Sequence, residues 1–175
     1  IKPLGENEDF RIAWLTNAAE TNLPLRQRFQ HLSRNAELHR THHLFGRFEN
    51  TYIDLELIPE LAPIRSTAAE FAADLLNRHE LRCGFWFNEM GPGSVTSLHT
   101  HEEDDELLSC VYYVNAPVDS GNLILHGRSQ RHQIVPKDGM FVFFPPSLPH
   151  EVERNQSNRA RLSVAFNFGP VAAEG

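Results

Sequence analysis

The chain is short of cysteine, of long apolar runs and of positive charge, and each shortage narrows what it can be. Only Cys83 and Cys110 are present, both inside apolar strand-like segments. They form no disulfide framework and read as core thiols, as expected for a reducing cytoplasm. No stretch approaches the roughly 18 apolar residues of a membrane span, and the first residues lack the charged start and apolar middle of a secretory signal. A cytoplasmic location without a membrane partner is therefore the expectation. Lys and Arg number 16 against 23 Asp and Glu, a formal charge of −7, so no basic stripe marks the chain for nucleic acid. Small acids held by one buried arginine stay open to it.

What is present suffices for one hydrophobic core: of 175 residues 41% are apolar and 22% charged, an ordinary globular balance. A single domain spanning 1–175 is expected, with a helical support region over 1–80 and a β-rich core over 81–170. In the first part Leu25, Phe29 and Leu32 share a helical face after Pro24, and Ile64, Ala68, Phe71, Leu75 and Leu76 form a stronger stripe behind Pro63. Between them residues 52–57 alternate as a short strand does. His39, His42 and His43 have no partner pattern and are expected in solvated or capping roles.

Beyond Leu81 the texture changes to short β-rich segments, at 82–88, 95–101, 107–115, 122–126, 132–135, 140–144, 150–154 and 160–168. Turn formers divide them, including Gly91-Pro92-Gly93, Asp119-Ser120-Gly121 and Asp138-Gly139. Short strands at near-regular spacing predict a mainly β fold with N-terminal helices, a jelly roll or barrel. The last segment alternates most cleanly, with Arg161, Ser163, Ala165 and Asn167 on one face and Leu162, Val164, Phe166 and Phe168 on the other. The greasy face should pack under helices. The polar face then carries Arg161 into the barrel, where a charge needs an opposite partner, and a bound carboxylate would supply it.

Histidines supply the second cluster. His99 and His101 stand two residues apart, which on a strand turns both imidazoles to one side, and His150 in Phe144-Pro145-Pro146-Ser147-Leu148-Pro149-His150 could add a third ligand. Neutral imidazole suits iron, zinc, copper and nickel, and an acidic run from Glu102 to Glu106 follows directly. His126 and His132 are expected at the surface.

These motifs, with Leu107 to Asn115 (L-L-S-C-V-Y-Y-V-N) and R-L-S-V-A-F-N from Arg161, resemble the Fe(II)/2-oxoglutarate oxygenases, nearest to a branch of small bacterial and phage members. The resemblance runs from about Phe85 to Pro170. It implies a double-stranded β-helix, a cupin-like barrel, in which a first His of an H-x-D/E motif and a later His hold Fe(II). An Arg followed two residues on by Ser binds the far carboxylate of 2-oxoglutarate. On this reading His150 is the later His, and Arg161 and Ser163 hold the cosubstrate; the His150-x10-Arg161-x-Ser163 spacing is the most specific signal. Tyr113 falls where prolyl hydroxylase-like members place a Tyr on the same carboxylate, with barrel core as the equal alternative. Asn88 is a possible hydrogen-bonding partner in the pocket or a structural residue.

The departure lies at the carboxylate ligand. With His99 first, His101 takes the acid's position and the site has three His; with His101 first, Glu103 restores H-x-E. The branch pattern, H-x-H without a fixed acid behind it, favours His99, leaving Glu103 as alternate. Glu106 also fits half of a cupin motif with Gly93, His99 and His101. The implied activity is hydroxylation of an unactivated C–H bond of a small molecule or an amino-acid or peptide side chain, using molecular oxygen. Rival readings are a cupin dioxygenase or isomerase without 2-oxoglutarate, in which Arg161 has no role, and a non-catalytic metal- or ligand-binding barrel.

Overall fold

The alternation that ends the sequence builds the middle of the molecule. In the computed structural model, which describes residues 5, 8–35, 37–101 and 105–171, it forms the ten-residue strand Arg161–Pro170. In chain order the elements are β1 (Arg11–Trp14), α1 (Ala18–Asn35), β2 (His39–Leu44), β3 (Arg47–Tyr52), α2 (Ala62–Leu76), β4 (Leu81–Met90), β5 (Thr96–His99) and β6 (Leu108–Asn115). They continue with β7 (Leu123–His126), β8 (Arg131–Ile134), β9 (Met140–Phe144), β10 (His150–Val152) and β11 (Arg161–Pro170). Two antiparallel sheets result, a seven-stranded one in the order β1-β9-β6-β11-β4-β3-β2 and a four-stranded one in the order β5-β10-β7-β8. The last eight strands divide equally between the sheets, as a double-stranded β-helix requires.

β11 lies between β4 and β6, paired along most of its length on both sides. Its greasy face, Leu162, Val164, Phe166 and Phe168, is fully committed to the main core with Leu25 and Phe29 of α1 and Ile64, Ala68, Ala72 and Leu75 of α2. Phe29 stacks on Phe87 of β4 at 5.0 Å between ring centroids. A second cluster, including Leu123, Leu125, Ile134, Met140, Val142 and Phe144, joins side chains of the two sheets. Cys83 and Cys110 are both free, the latter buried.

The first eighty residues differ from expectation. Besides two helices they hold three strands: β1 adds to the β9 edge, and the β2–β3 hairpin adds beyond β4. The expected strand over 52–57 does not form; Tyr52 ends β3, and Leu55–Leu57 is a single turn of 3-10 helix. The hairpin escapes an apolar-periodicity reading because β2, at the sheet margin, is mostly exposed and reads His-Arg-Thr-His-His-Leu. Its turn is legible in hindsight: Phe45 and Gly46 have φ of 51° and 78°, the paired left-handed geometry of a two-residue hairpin, and glycine takes the second place at no steric cost. α1 also starts earlier than Pro24, which lies inside it.

Candidate functional site

The polar face of β11 opens on a cavity of 440 Å³ between the two sheets. Arg161, Ser163, Ala165 and Asn167 all line it, together with His99, His101 and His150. The histidines come from two segments. His99 ends β5 and His150 begins β10, where the two are register partners. His101 lies past the end of β5, its backbone N–H held by the Pro146 carbonyl at 2.9 Å and its ring 5.6 Å from Trp86. One ring nitrogen of each lies within 4.8 Å of those of the other two, close enough to share a metal ion.

Tautomers follow from the partners. Nδ1 of His99 faces the Ser97 carbonyl at 2.7 Å and Nδ1 of His150 faces the Leu148 carbonyl at 2.9 Å. A carbonyl only accepts, so Nδ1 carries the proton in both and Nε2 keeps its lone pair, as a ligand requires. Burial holds His150 down to about 3, with the neighbouring His99 and His101 rings adding to the effect, and burial followed by His99 holds His101 down to about 4. Both are neutral bases at physiological pH, ready for a cation.

This has a measurable consequence for the metal-free chain. Unfolded, these imidazoles take up protons near 6.5, whereas folded they resist until far lower pH, so the unfolded state binds more protons between those limits. Their contribution to stability is complete above about pH 6.5 and is lost as pH falls through 4 towards 3. Thermal melts at pH 7, 5 and 4 should show a falling Tm. His150→Leu, which removes one of the two groups, should flatten the decline; equal slopes in both chains would count against it.

Arg161 is the largest fully buried side chain, 2% exposed. Nη1 donates to the Gly121 carbonyl at 2.8 Å, Nη2 rests on Met90 Sδ at 2.8 Å, and Nε has no partner. Tyr113 presents its ring 5.5 Å from the guanidinium carbon, and burial pushes its phenol up to about 12. No carboxylate of the described residues pairs with Arg161. A charge so deeply placed with only a carbonyl, a thioether and a ring around it is poised for an anion. Ser163 Oγ donates to the Asn88 carbonyl at 3.4 Å, and the Asn88 side chain accepts from Arg47 at 3.2 Å. Asn88, Ser163 and Tyr113 all line the cavity.

Gly121 supports the arginine through its backbone and can be replaced only at a cost. Its φ is 98°, and an added Cβ would lie 2.2 Å from the Glu153 carbonyl oxygen. Gly121→Ala should destabilise the fold by at least about 2 kcal/mol and shift the anchor of Arg161, measured as a lower denaturation midpoint. A midpoint within error of the parent would refute the strain.

Among the other expected positions, Glu103 lies outside the described residues. Glu106 lines the cavity but does not join the three imidazoles. His132 departs from its expected surface role: it is largely buried and bonds Asp9 at 2.8 Å, while His126 pairs with Glu151 at 2.9 Å. His42 is exposed, in keeping with a solvated role, and also lines the cavity with Asn50 and Tyr52 of the hairpin and Trp86 of β4. The sequence signal for this wall is the Phe45-Gly46 turn, which polar flanking strands mask.

A barrel of this topology with its polar face turned inward belongs to the cupin-like jelly rolls as a class. Residues 85–169 match the family model described as the 2OG-Fe(II) oxygenase superfamily, so the barrel of this chain is similar to that superfamily. No curated protein matches the sequence significantly. Solved structures share the fold. A Pseudomonas putida prolyl-4-hydroxylase aligns at 19% identity and a TM-score of 0.74, covering 94% of each chain. SnoN, a non-haem α-ketoglutarate-dependent epimerase from nogalamycin biosynthesis, aligns at 15% identity and 0.76, covering 94% of this chain and 78% of its own. EvdO2 from Micromonospora carbonacea var. aurantiaca, in complex with 2-oxoglutarate, aligns at 17% and 0.71, covering 97% and 89%.

Proposed function

We propose that the chain is an Fe(II)- and 2-oxoglutarate-dependent oxygenase that hydroxylates an unactivated C–H bond of a small molecule or of an amino-acid or peptide side chain. The observation that carries this reading is the buried Arg161, without a carboxylate partner among the described residues, in the same cavity as three imidazoles whose ring nitrogens lie within 4.8 Å of one another. His99, His101 and His150 would hold the metal, with Glu103 as the alternate third ligand. Arg161 would pair with the far carboxylate of 2-oxoglutarate, a charge-assisted contact strengthened by burial, with Ser163, Tyr113 and Asn88 beside it. Bound iron and cosubstrate supply the oxidative chemistry; the chain binds, orients and excludes water.

The residues fit these groups without rearrangement of the anchor. Nδ1 of His99 and of His150 is fixed by a backbone carbonyl, which sets each ring's orientation and raises its basicity. The orphaned Nε of Arg161 offers a donor that no described residue uses. Hydroxylation is preferred to other outcomes by likeness to the prolyl-4-hydroxylase; an epimerase on the same fold shows that the barrel alone does not decide it. The chain supplied with Fe(II), 2-oxoglutarate and ascorbate, the last as two-electron donor in place of the substrate, should consume oxygen and release succinate and carbon dioxide in equal amounts, and lose all three on chelation. Oxygen uptake without succinate would favour a cupin dioxygenase instead.

A further inference from the structure

The cavity has an outer wall that metal and cosubstrate leave unused, and one of its side chains is short of partners. Arg47, at the start of β3, ties the hairpin down: it donates to Asn88 Oδ1 at 3.2 Å, the Glu89 carbonyl at 3.3 Å, the Val95 carbonyl at 3.1 Å and Thr96 Oγ1 at 3.0 Å. Its bond to Glu49 Oε1, at 3.4 Å, is long and correspondingly weak. Yet the Glu49 side chain is only 9% exposed, and it lines the cavity that holds the three imidazoles. Among the described residues its second oxygen has no hydrogen-bond partner.

A carboxylate accepts at about four positions, and the single long contact of Glu49 leaves most of them open towards the cavity it lines. A donor entering the cavity would take them up. The lining of the same cavity also carries Trp86 and Tyr52, with ring centroids 6.4 Å apart, and ring faces attract cations. Arg47 directs its two terminal nitrogens mainly to β4 and to the chain around Thr96, which leaves Glu49 with only the one long contact from it.

We propose that Glu49 is the specificity-determining residue of the cavity and that it selects a substrate carrying a protonated primary amine. This rests on the cavity being the substrate site of the proposed oxygenase. The carboxylate would receive the ammonium, the rings of Trp86 and Tyr52 would flank it, and the rest of the molecule would extend towards the imidazoles.

The test uses small probes and the intact chain. With Zn(II) and 2-oxoglutarate present, so that Arg161 is occupied, saturation-transfer NMR compares n-butylamine, 1-butanol and butyrate at neutral pH. The wild-type chain should bind the ammonium about ten- to a hundredfold more tightly than the alcohol, and the carboxylate least. Glu49→Gln should bring the amine to the level of the alcohol. Equal binding of amine and alcohol by the wild type, or a preference that survives Glu49→Gln, overturns the proposal. Should Glu49→Gln fail to fold, the ranking of the three probes on the wild type still decides. A separate titration of 2-oxoglutarate isolates the underlying reading. If the cosubstrate does not bind but the ranking holds in its absence, the oxygenase reading falls and the ammonium subsite stands. If it binds and the ranking fails, only the subsite falls.

Discussion

Arg161→Ala should weaken 2-oxoglutarate binding by about a hundredfold or more and abolish succinate formation. Removing one partner of a desolvated ionic contact costs about 2–5 kcal/mol, much of it the penalty on the charge left behind. No other guanidinium lines the cavity to take over. Arg161→Lys keeps the charge but not the planar fork that reaches Gly121, Met90 and the ligand together, so an intermediate loss is expected. Arg161→Met separates function from folding. In the ligand-free chain it exchanges an unpaired buried cation for apolar volume, so it should melt no lower than the parent while binding no cosubstrate. Cosubstrate affinity within threefold of the parent in Arg161→Ala would sink the assignment.

Loss of metal is the second large effect. His150 is 5% exposed and its Nδ1 is held by the Leu148 carbonyl, so its Nε2 is presented from a fixed, buried ring. His150→Ala should lower metal affinity by more than about a hundredfold, beyond what loss of a supporting contact alone produces, with His99→Ala and His101→Ala close behind. Glu103→Ala is the discriminating control and should shift affinity by only a few-fold if the imidazoles form the whole protein ligand set. Metal content after dialysis and titration with Fe(II) under anaerobic conditions would measure this. A severe loss in Glu103→Ala beside a mild one in His99→Ala would reverse the ligand assignment.

Much of the barrel was legible because its strands divide two environments sharply. Met140–Phe144 is buried at every residue and was read with its observed bounds. On β11 the alternation of Leu162, Val164, Phe166 and Phe168 against Arg161, Ser163, Ala165 and Asn167 showed both the face that meets the helices and the face that opens on the cavity. The imidazoles were readable because His-x-His is rarely placed by packing needs alone. β1 and the β2–β3 hairpin were not readable for the opposite reason. A strand at the margin of a sheet meets solvent along one side and need not alternate, and Arg47 and Glu49 look on paper like any solvated pair. Their burial comes from β4 and the segment at Val95 and Thr96, far away in sequence, which local pattern cannot reveal.

The position of that hairpin bears on how such barrels diverge. Its backbone joins the larger sheet through one bridged pair, Thr51 to Phe87, beside the side-chain bonds of Arg47, and among the described residues nothing pairs beyond β2. β11, by contrast, is laced to neighbours on both sides. A lineage can therefore lengthen, shorten or recompose residues 39–52 while the strand bearing Arg161 keeps its register. What the cavity admits can drift through descent independently of the frame behind it, and transplanting the hairpin between distant cousins is the natural way to swap one selectivity for another.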